Sequence, residues 1–189
     1  MDVQEAIRSR RSIRQFRSEE VSKEHLSAVL EAVRWAPSWA NTQCWQVVVV
    51  RDPERKSRLQ EILGRNPAHD AMVQADVVLV LCAELGRAGF KRGEPTTAYG
   101  DWFMYDLGLA NENLSLTAHS LGLGTVIVGN FDHAAVGREL GLPHSLVAVT
   151  MVPLGHPAST GTAPPRRELL QQVHLEEFGV PWSNPTTAC

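Results

Sequence analysis

The chain has 189 residues, of which 43% are hydrophobic and 21% are charged, the balance of an ordinary globular protein. Its formal net charge of −3 at pH 7 offers no general attraction to nucleic acid or to an anionic membrane surface. No apolar run approaches the roughly 20 residues that a transmembrane helix needs, and the first residues lack the pattern of a secretory signal. We therefore expect a cytoplasmic protein with a single domain over 1–189, and neither nucleic acid nor a membrane as its partner.

A cluster of cationic side chains follows the first predicted helix, which covers residues 3–8. The segment Arg10-Arg11-Ser12-Ile13-Arg14 holds three guanidinium groups and one hydroxyl. Arginine presents a planar fork of donors that matches phosphate oxygens, so this segment is a candidate phosphate site. Cations near the end of a helix also complement the helix dipole, and a solvated helix end is the alternative that the run alone leaves open.

A second helix is predicted from its cap at Ser22 to Ala36, because apolar residues recur at helical spacing until Pro37 ends the pattern. The loop that follows, 36–45, is rich in amide and hydroxyl groups and carries two tryptophans. Such a loop offers hydrogen bonds and aromatic faces to a planar polar ligand. A plain connector whose tryptophans fill the core explains the same residues equally well.

Apolar patterns predict the remaining elements. Strands are predicted at 46–51, 77–81, 125–128 and 146–154, and helices at 53–63, 68–74, 98–121 and 132–140. The first two strands are continuous apolar runs, which predicts burial on both faces. Gly108, inside the longest helix, suggests close packing of another backbone. Residues 85–97 are predicted to form a surface loop, and the chain after 165 is expected to wrap over another surface, of this chain or of a second subunit.

The cysteines and histidines do not indicate a metal centre. Cys44, Cys82 and Cys189 lie far apart, and no histidine pairs with a cysteine or another histidine at ligand spacing. We therefore predict no metal site. Cys82 ends an apolar strand pattern and is predicted to be a small buried hydrophobic residue.

Four motifs, in this order, make the chain resemble the nitroreductase family of flavin enzymes over nearly its whole length. The Arg10–Arg14 run matches R-R-S-x-R, and the 36–45 loop matches A-P-S-x-x-N-x-Q-P-W. The other two are Glu112-Asn113-Leu114 with segments 121–125 and 129–132, and Gly155-His156-Pro157 with Arg166. The resemblance implies an α+β fold in which helices flank a central, mostly antiparallel β-sheet, and an intertwined homodimer.

The resemblance also implies that FMN is bound at the dimer interface, with NAD(P)H as co-substrate. It assigns the flavin phosphate to Arg10, Ser12 and Arg166, places Arg11 close to the flavin, and puts Arg14 near the N1–C2=O edge. Five residues of the partner subunit would contact the ring, the last less directly: Pro37, Ser38, Trp39, Asn41 and Gln43. Backbone at Val128, Gly129 and Asn130 would face N5, the atom that accepts hydride, where a glycine permits close approach.

The implied chemistry belongs to the cofactor, so no side chain is expected to act as a catalytic acid or nucleophile. Hydride would pass from NAD(P)H to flavin N5, and a nitroaromatic, a quinone or a similar small acceptor would then be reduced by a ping-pong mechanism. A guanidinium near N1 would stabilise the anionic reduced flavin. The sequence leaves the choice between NADH and NADPH open, and also the physiological acceptor.

Three positions depart from the family pattern. Cys44 stands where the family usually has proline, which predicts a less stiff loop. Pro164 replaces a second phosphate-binding cation, for which Arg167 would compensate, and Asp70 falls where some members have a lysine near the pyrimidine edge.

Two alternatives to the reductase interpretation stay open. One is a non-enzymatic protein that senses or stores flavin, which the exposed character of the tail suggests. The other is a specialised relative that fragments flavin, removes halide from iodotyrosine or oxidises azoline rings.

Overall fold

A four-stranded sheet lies at the centre of the fold in the computed structural model, which describes residues 1–182. In chain order the strands are β1 (Trp45–Val50), β2 (Val77–Glu84), β3 (Phe90–Lys91), β4 (Glu94–Pro95), β5 (Gly124–Thr125) and β6 (Leu146–Gly155). The central sheet has the order β1-β2-β6-β5, and every neighbouring pair in it is antiparallel. Strands β3 and β4 form a separate small hairpin inside the predicted surface loop.

Helices cover both faces of this sheet. They are α1 (Val3–Ser9), α2 (Lys23–Arg34), α3 (Pro53–Leu63), α4 (Ala71–Gln74), α5 (Phe103–Ser120) and α6 (His133–Glu139). Helices α2 and α5 share one hydrophobic cluster with the sheet, and α3, α4 and α6 share the other. The predicted α+β fold, with helices around an antiparallel sheet, is therefore confirmed. No helix within residues 1–182 is both long enough and apolar enough to cross a bilayer.

Strand β2 carries the core on both of its faces. Alternate side chains point to opposite faces of a strand, so its apolar residues divide between the two clusters. Val77, Leu79, Leu81 and Ala83 join the cluster of α2 and α5, whereas Val78, Val80 and Cys82 join the other. Burial of this strand on both faces and of Cys82 is confirmed, since all of these residues are fully buried.

The same prediction holds only in part for β1, whose Trp45 and Val47 pack with one cluster and whose Val48 and Val50 pack with the other. Within the described chain this strand pairs only with β2, and its residues Gln46 and Val49 are exposed, Val49 by 41%. An apolar run reports side-chain chemistry but not the strand's place in the sheet, and β1 lies at an edge.

Helix α5 is the longest helix, but it begins at Phe103 rather than at residue 98. The preceding residues form a turn in which the Gly100 N–H donates to the Thr97 carbonyl over 3.3 Å, and the Trp102 N–H then donates to the Ala88 carbonyl over 3.0 Å. A Cβ added at Gly108 would meet nothing within 4 Å, so residues 1–182 bring no other backbone into contact at that position. The expected close packing at Gly108 is therefore not seen within the described protomer.

The cationic run after α1 extends the sheet beyond β5. Ser12 pairs with Thr125 in a parallel bridge, and the Ile13 N–H donates to the Thr125 carbonyl over 2.8 Å. Beside them a Cβ at Gly124 would lie 2.7 Å from Ile13 Cγ1, which is closer than Cβ atoms in proteins approach other side chains. Glycine at this position is what lets the Arg10–Arg14 segment lie against the sheet edge.

The third predicted strand is shorter than expected. Only Gly124–Thr125 pairs continuously with β6, and the chain then touches β6 again at a single bridge between Val128 and Met151. Residues 158–172 are exposed throughout, as expected for a tail that cannot form a core alone. Cys189 lies outside the described residues.

Candidate functional site

Arg10 and Arg11 line a cavity of about 290 Å³ between the end of α1 and the second half of α5. The Arg10 Nε is buried and has no hydrogen-bond partner in residues 1–182, since Glu112 Oε1 lies 3.6 Å away. The Ser115 hydroxyl, which lines the same cavity, is also buried without a partner there. Buried polar atoms are normally hydrogen-bonded, so two unsatisfied ones at one cavity fit a polar or anionic ligand.

Arg11 has a structural role that matches the helix-end alternative. Its Nη1 donates to the carbonyl oxygens of Arg8 and Arg10, each over 2.7 Å. These carbonyls lie at the end of α1, where the helix offers no further N–H group. The helix-end interpretation therefore holds for Arg11. Arg10, whose Nε makes no hydrogen bond within residues 1–182 and is ion-paired with Glu112, fits the phosphate interpretation.

Ser12 and Arg14 line a second cavity of about 360 Å³ on the other side of Ile13, together with Asp70 and Gln74. The Gln74 Oε1 accepts the N–H of Phe16 over 3.3 Å, which ties α4 to the N-terminal segment. Asp70 and Arg14 therefore bring a carboxylate and a guanidinium to the same cavity. Gln74 was not singled out from the sequence, because a polar residue at the end of a short helix gives no signal of a site.

The segment after the Val128 bridge is open to solvent. Val128 and Met151 exchange two backbone hydrogen bonds of 2.9 Å, and Gly129 and Asn130 then follow as exposed residues. A Cβ at Gly129 would meet nothing within 4 Å, so packing inside the described chain does not require glycine there. The space beside this backbone is available to a ligand.

The loop over residues 38–44 has a strained backbone. Ala40, Asn41 and Gln43 have φ angles of 44°, 56° and 47°, in the left-handed region. That region costs roughly 1–2 kcal/mol for residues such as Ala40 and Gln43 and is better tolerated by asparagine. Inside the loop, the Gln43 N–H donates to Ser38 Oγ over 3.0 Å. Pro37, Asn41 and Gln43 are exposed, and Ser38 and Trp39 are half-buried. Strain of this kind is typical of functional loops that their surroundings hold in place.

Asp106, which sequence reasoning missed, attaches this loop to α5. The side chain is fully buried, its Oδ1 accepts the Trp39 N–H over 3.0 Å, and its Oδ2 lies 3.7 Å from the Cys44 sulfur. Burial raises the pKa of the Asp106 carboxyl, which the Trp39 N–H and the Cys44 thiol oppose. Burial and Asp106 together raise the pKa of Cys44 to about 12, so the thiol keeps its proton. The only sequence signal was an acidic residue on the buried side of an apolar helix.

One protomer does not bring all of the predicted site residues together. Ser115 and His119, which line the Arg10 cavity, follow Asp106 by nine and thirteen residues on α5. At 1.5 Å per residue this separates the 38–44 loop from that cavity by roughly 14–20 Å along the helix. Arg166 and Arg167 lie in the exposed tail and line neither of the two cavities. Their predicted contacts with a phosphate stay predictions.

Comparison with known proteins gives the family. The sequence model of the nitroreductase family matches residues 7–156. An FMN reductase of Bacillus subtilis that uses NAD(P)H is 34% identical over 191 residues, which cover 94% of this chain and 74% of that protein. The NADH dehydrogenase of Thermus thermophilus is 34% identical over 200 residues, covering 93% and 96% of the two chains.

Solved structures agree with this result. The hypothetical oxidoreductase YcnD from Bacillus subtilis superposes with a TM-score of 0.81 at 32% identity, covering 94% of this chain and 75% of that one. The chain therefore belongs to the nitroreductase family, as its four motifs predicted.

Proposed function

We propose that this chain is an FMN-dependent oxidoreductase that takes reducing equivalents from NAD(P)H and passes them to a nitroaromatic, a quinone or a similar small acceptor. Family membership supports the class of enzyme, and the Bacillus subtilis relative is an FMN reductase that uses NAD(P)H. The observation in the structure that carries the proposal is Arg10 at a cavity beside the sheet edge. Its buried Nε makes no hydrogen bond within residues 1–182 and is ion-paired with Glu112 at 3.6 Å.

Phosphate binding is the role we propose for Arg10, Ser12 and Arg166. Arg10 and Ser12 line two different cavities that share Ile13, so the phosphate would bind between them. A guanidinium and a hydroxyl together offer several donors to one anion, and charge-assisted hydrogen bonds of this kind are about twice as strong as neutral ones. The bridge between Ser12 and Thr125 fixes the segment to the sheet before any ligand arrives. A preformed donor set loses less freedom on binding than a flexible one.

Bound FMN would supply the redox chemistry, accepting hydride from the nicotinamide and giving it to an acceptor that enters the same place afterwards, in ping-pong order. Arg14 would hold the pyrimidine edge and stabilise negative charge there. Asp70 lines the same cavity and offsets part of that positive charge. The open backbone at Gly129 and Asn130 would allow close approach of the reacting edge.

We further propose that the site is completed by the partner subunit of a homodimer. The 38–44 loop and the Arg10 cavity attach to α5 roughly 14–20 Å apart, and no residue of the loop lines that cavity. The family resemblance assigns the loop to the partner's flavin. Exposed aromatic and apolar side chains near the loop also fit a subunit interface, which would bury them. These side chains, Trp35, Tyr99, Met104 and Tyr105, are 61–86% exposed.

An absorbance spectrum of the purified protein, followed by anaerobic addition of NADH and then NADPH, tests the proposal. We expect a flavin spectrum that bleaches with at least one nicotinamide and returns when a quinone or nitroaromatic is added. A protein that binds no added FMN would refute the proposal. A bound flavin that neither nicotinamide bleaches would favour the sensor or storage alternative.

The dimer is tested separately by light scattering on a size-exclusion column. A mass twice that of the 20.8 kDa chain is expected. A monomer that binds FMN with full occupancy would contradict the shared site.

A further inference from the structure

We propose that Asp106 is a positioning residue, which holds the 38–44 loop in the conformation that presents Trp39. The inference rests on the proposed function only in naming the flavin site as the place where this loop acts. Asp106 itself touches neither ligand nor acceptor. It acts through the backbone of Trp39 and the side chain of Cys44.

The geometry assigns one carboxylate oxygen to each end of the loop. Asp106 Oδ1 accepts the N–H of Trp39 over 3.0 Å, and Oδ2 lies 3.7 Å from the sulfur of Cys44. Within residues 1–182, the hydrogen bonds from this loop to α5 all end on Asp106. A single side chain therefore fixes the entry and the exit of the loop to the longest helix of the fold.

The backbone between these two attachment points explains why the two Asp106 contacts, here called the clamp, are needed. Ala40, Asn41 and Gln43 all have left-handed φ angles, a conformation that a free peptide of this sequence disfavours. The hydrogen bonds internal to the loop, such as Gln43 N–H to Ser38 Oγ, link it to itself and do not attach it to the helix. Loss of the clamp should let these residues relax towards ordinary φ angles.

The chemistry of Asp106 suits this task. A fully buried carboxylate is expensive unless donors compensate it, and here an N–H and a protonated thiol offset part of that cost. Its place in the first turn of α5 adds the favourable end of the helix dipole. A charged acceptor also binds an N–H more strongly than a neutral one does.

Hydrogen–deuterium exchange of the full-length protein as purified tests the clamp directly, with or without bound flavin. In Asp106→Ala, the peptide covering 38–44 should exchange about tenfold faster or more, because a hydrogen bond to a charged group accounts for at least that factor. Asp106→Asn keeps a neutral acceptor for Trp39 and should lie between the wild type and Asp106→Ala.

The matched control is Asn111→Ala, which removes another buried polar side chain from α5. The Asn111 side chain donates to the Leu107 carbonyl and to Thr150 Oγ1, and neither hydrogen bond involves the loop. Exchange in this control should rise in α5 and β6 but stay at the wild-type rate in 38–44. An equal rise of loop exchange in the control would reduce Asp106 to a general packing role and overturn the proposal.

Wild-type exchange of the loop in Asp106→Ala would also overturn it. If Asp106→Ala does not fold, Asp106→Asn serves as the test. Exchange of its 38–44 peptide at the wild-type rate would overturn the proposal.

In the FMN-loaded enzyme, Asp106→Asn should raise the KM for the acceptor more than it lowers kcat, because Trp39 shifts while the phosphate site is untouched. A protein that never binds FMN would refute the proposed function and leave the exchange result standing.

Discussion

Replacing Gly124 with alanine should disturb the predicted flavin site from a distance. The added methyl would lie 2.7, 2.8 and 3.0 Å from Ile13 Cγ1, Cβ and Cγ2. All three atoms belong to the branched part of a side chain that is only 5% exposed and has little rotational freedom. The clash therefore cannot be relieved by a terminal methyl alone, and the Ser12–Arg14 backbone must move away from β5.

The size of the effect follows from these distances. Carbon atoms pack best at about 3.5–4.0 Å, so the segment must shift by roughly 0.5–1 Å. Overpacking of this kind typically costs about 1–3 kcal/mol in the free energy of unfolding, or roughly 2–4 °C in Tm for each kcal/mol in a chain of this length. FMN affinity should fall as well, because Ser12 and Arg14 leave the positions at which they line their cavity.

Urea unfolding at fixed protein concentration and fluorescence titration with FMN measure the two effects. Gly137→Ala is the matched control, since a Cβ there meets only Leu142 Cδ1, at 4.0 Å, and lies inside α6. That variant should be as stable as the wild type or gain up to about 1 kcal/mol from helix propensity.

A second substitution should partly rescue the Gly124→Ala protein. Ile13→Ala removes the atoms that the new methyl meets, so the double variant should be more stable than the sum of the two single effects requires. Strict additivity, or a Gly124→Ala protein with wild-type stability and FMN affinity, would refute the steric explanation.

Three further predictions concern the site itself. Arg10→Ala should weaken FMN binding about tenfold to 150-fold by fluorescence titration, since a hydrogen bond to a charged group is worth about 1.5–3 kcal/mol; unchanged flavin occupancy would remove Arg10 from the phosphate site. Trp39→Ala should change the ratio of kcat/KM between a quinone and a nitroaromatic more than it changes FMN affinity, and equal losses in both would contradict that role. Burial, with Arg10 and Arg11 nearby, lowers the pKa of His119 below its usual 6.5. The unfolded chain then binds this proton more readily than the folded one, so stability is lost as pH falls below about 6.5. In His119→Gln the urea midpoint should therefore depend less on pH between about pH 7 and pH 5. An unchanged pH dependence in this variant would exclude His119 as the cause.

Local features were readable from the sequence because they depend on neighbouring residues. Asp52 and Asp132 cap α3 and α6 through their Oδ1 atoms, and Gly64 ends α3 with a φ of 60°, positions at which aspartate and glycine are favoured. The apolar run of β2 predicted its burial on both faces, since its first seven residues include no charged side chain to face water. The order of four short motifs was enough to give the family.

The tertiary structure decided what lies far apart in the chain. The same apolar pattern put β2 in the centre and β1 at the edge, because pairing partners are not written in a strand's own residues. The sequence placed Arg10, Ser12 and Arg14 in one run, but only the sheet edge beside Gly124 showed how that run is held.

Asp106 is the clearest case of a residue that only the structure could reveal. It lies 67 residues from Trp39 and 62 from Cys44, and only the packing of α5 brings its carboxylate to both ends of the loop. The sequence by itself determined the local elements, the family and the candidate flavin contacts. Which distant groups share a hydrogen bond depends on the folded path of the chain, and that path is fixed by long-range packing rather than by any local pattern.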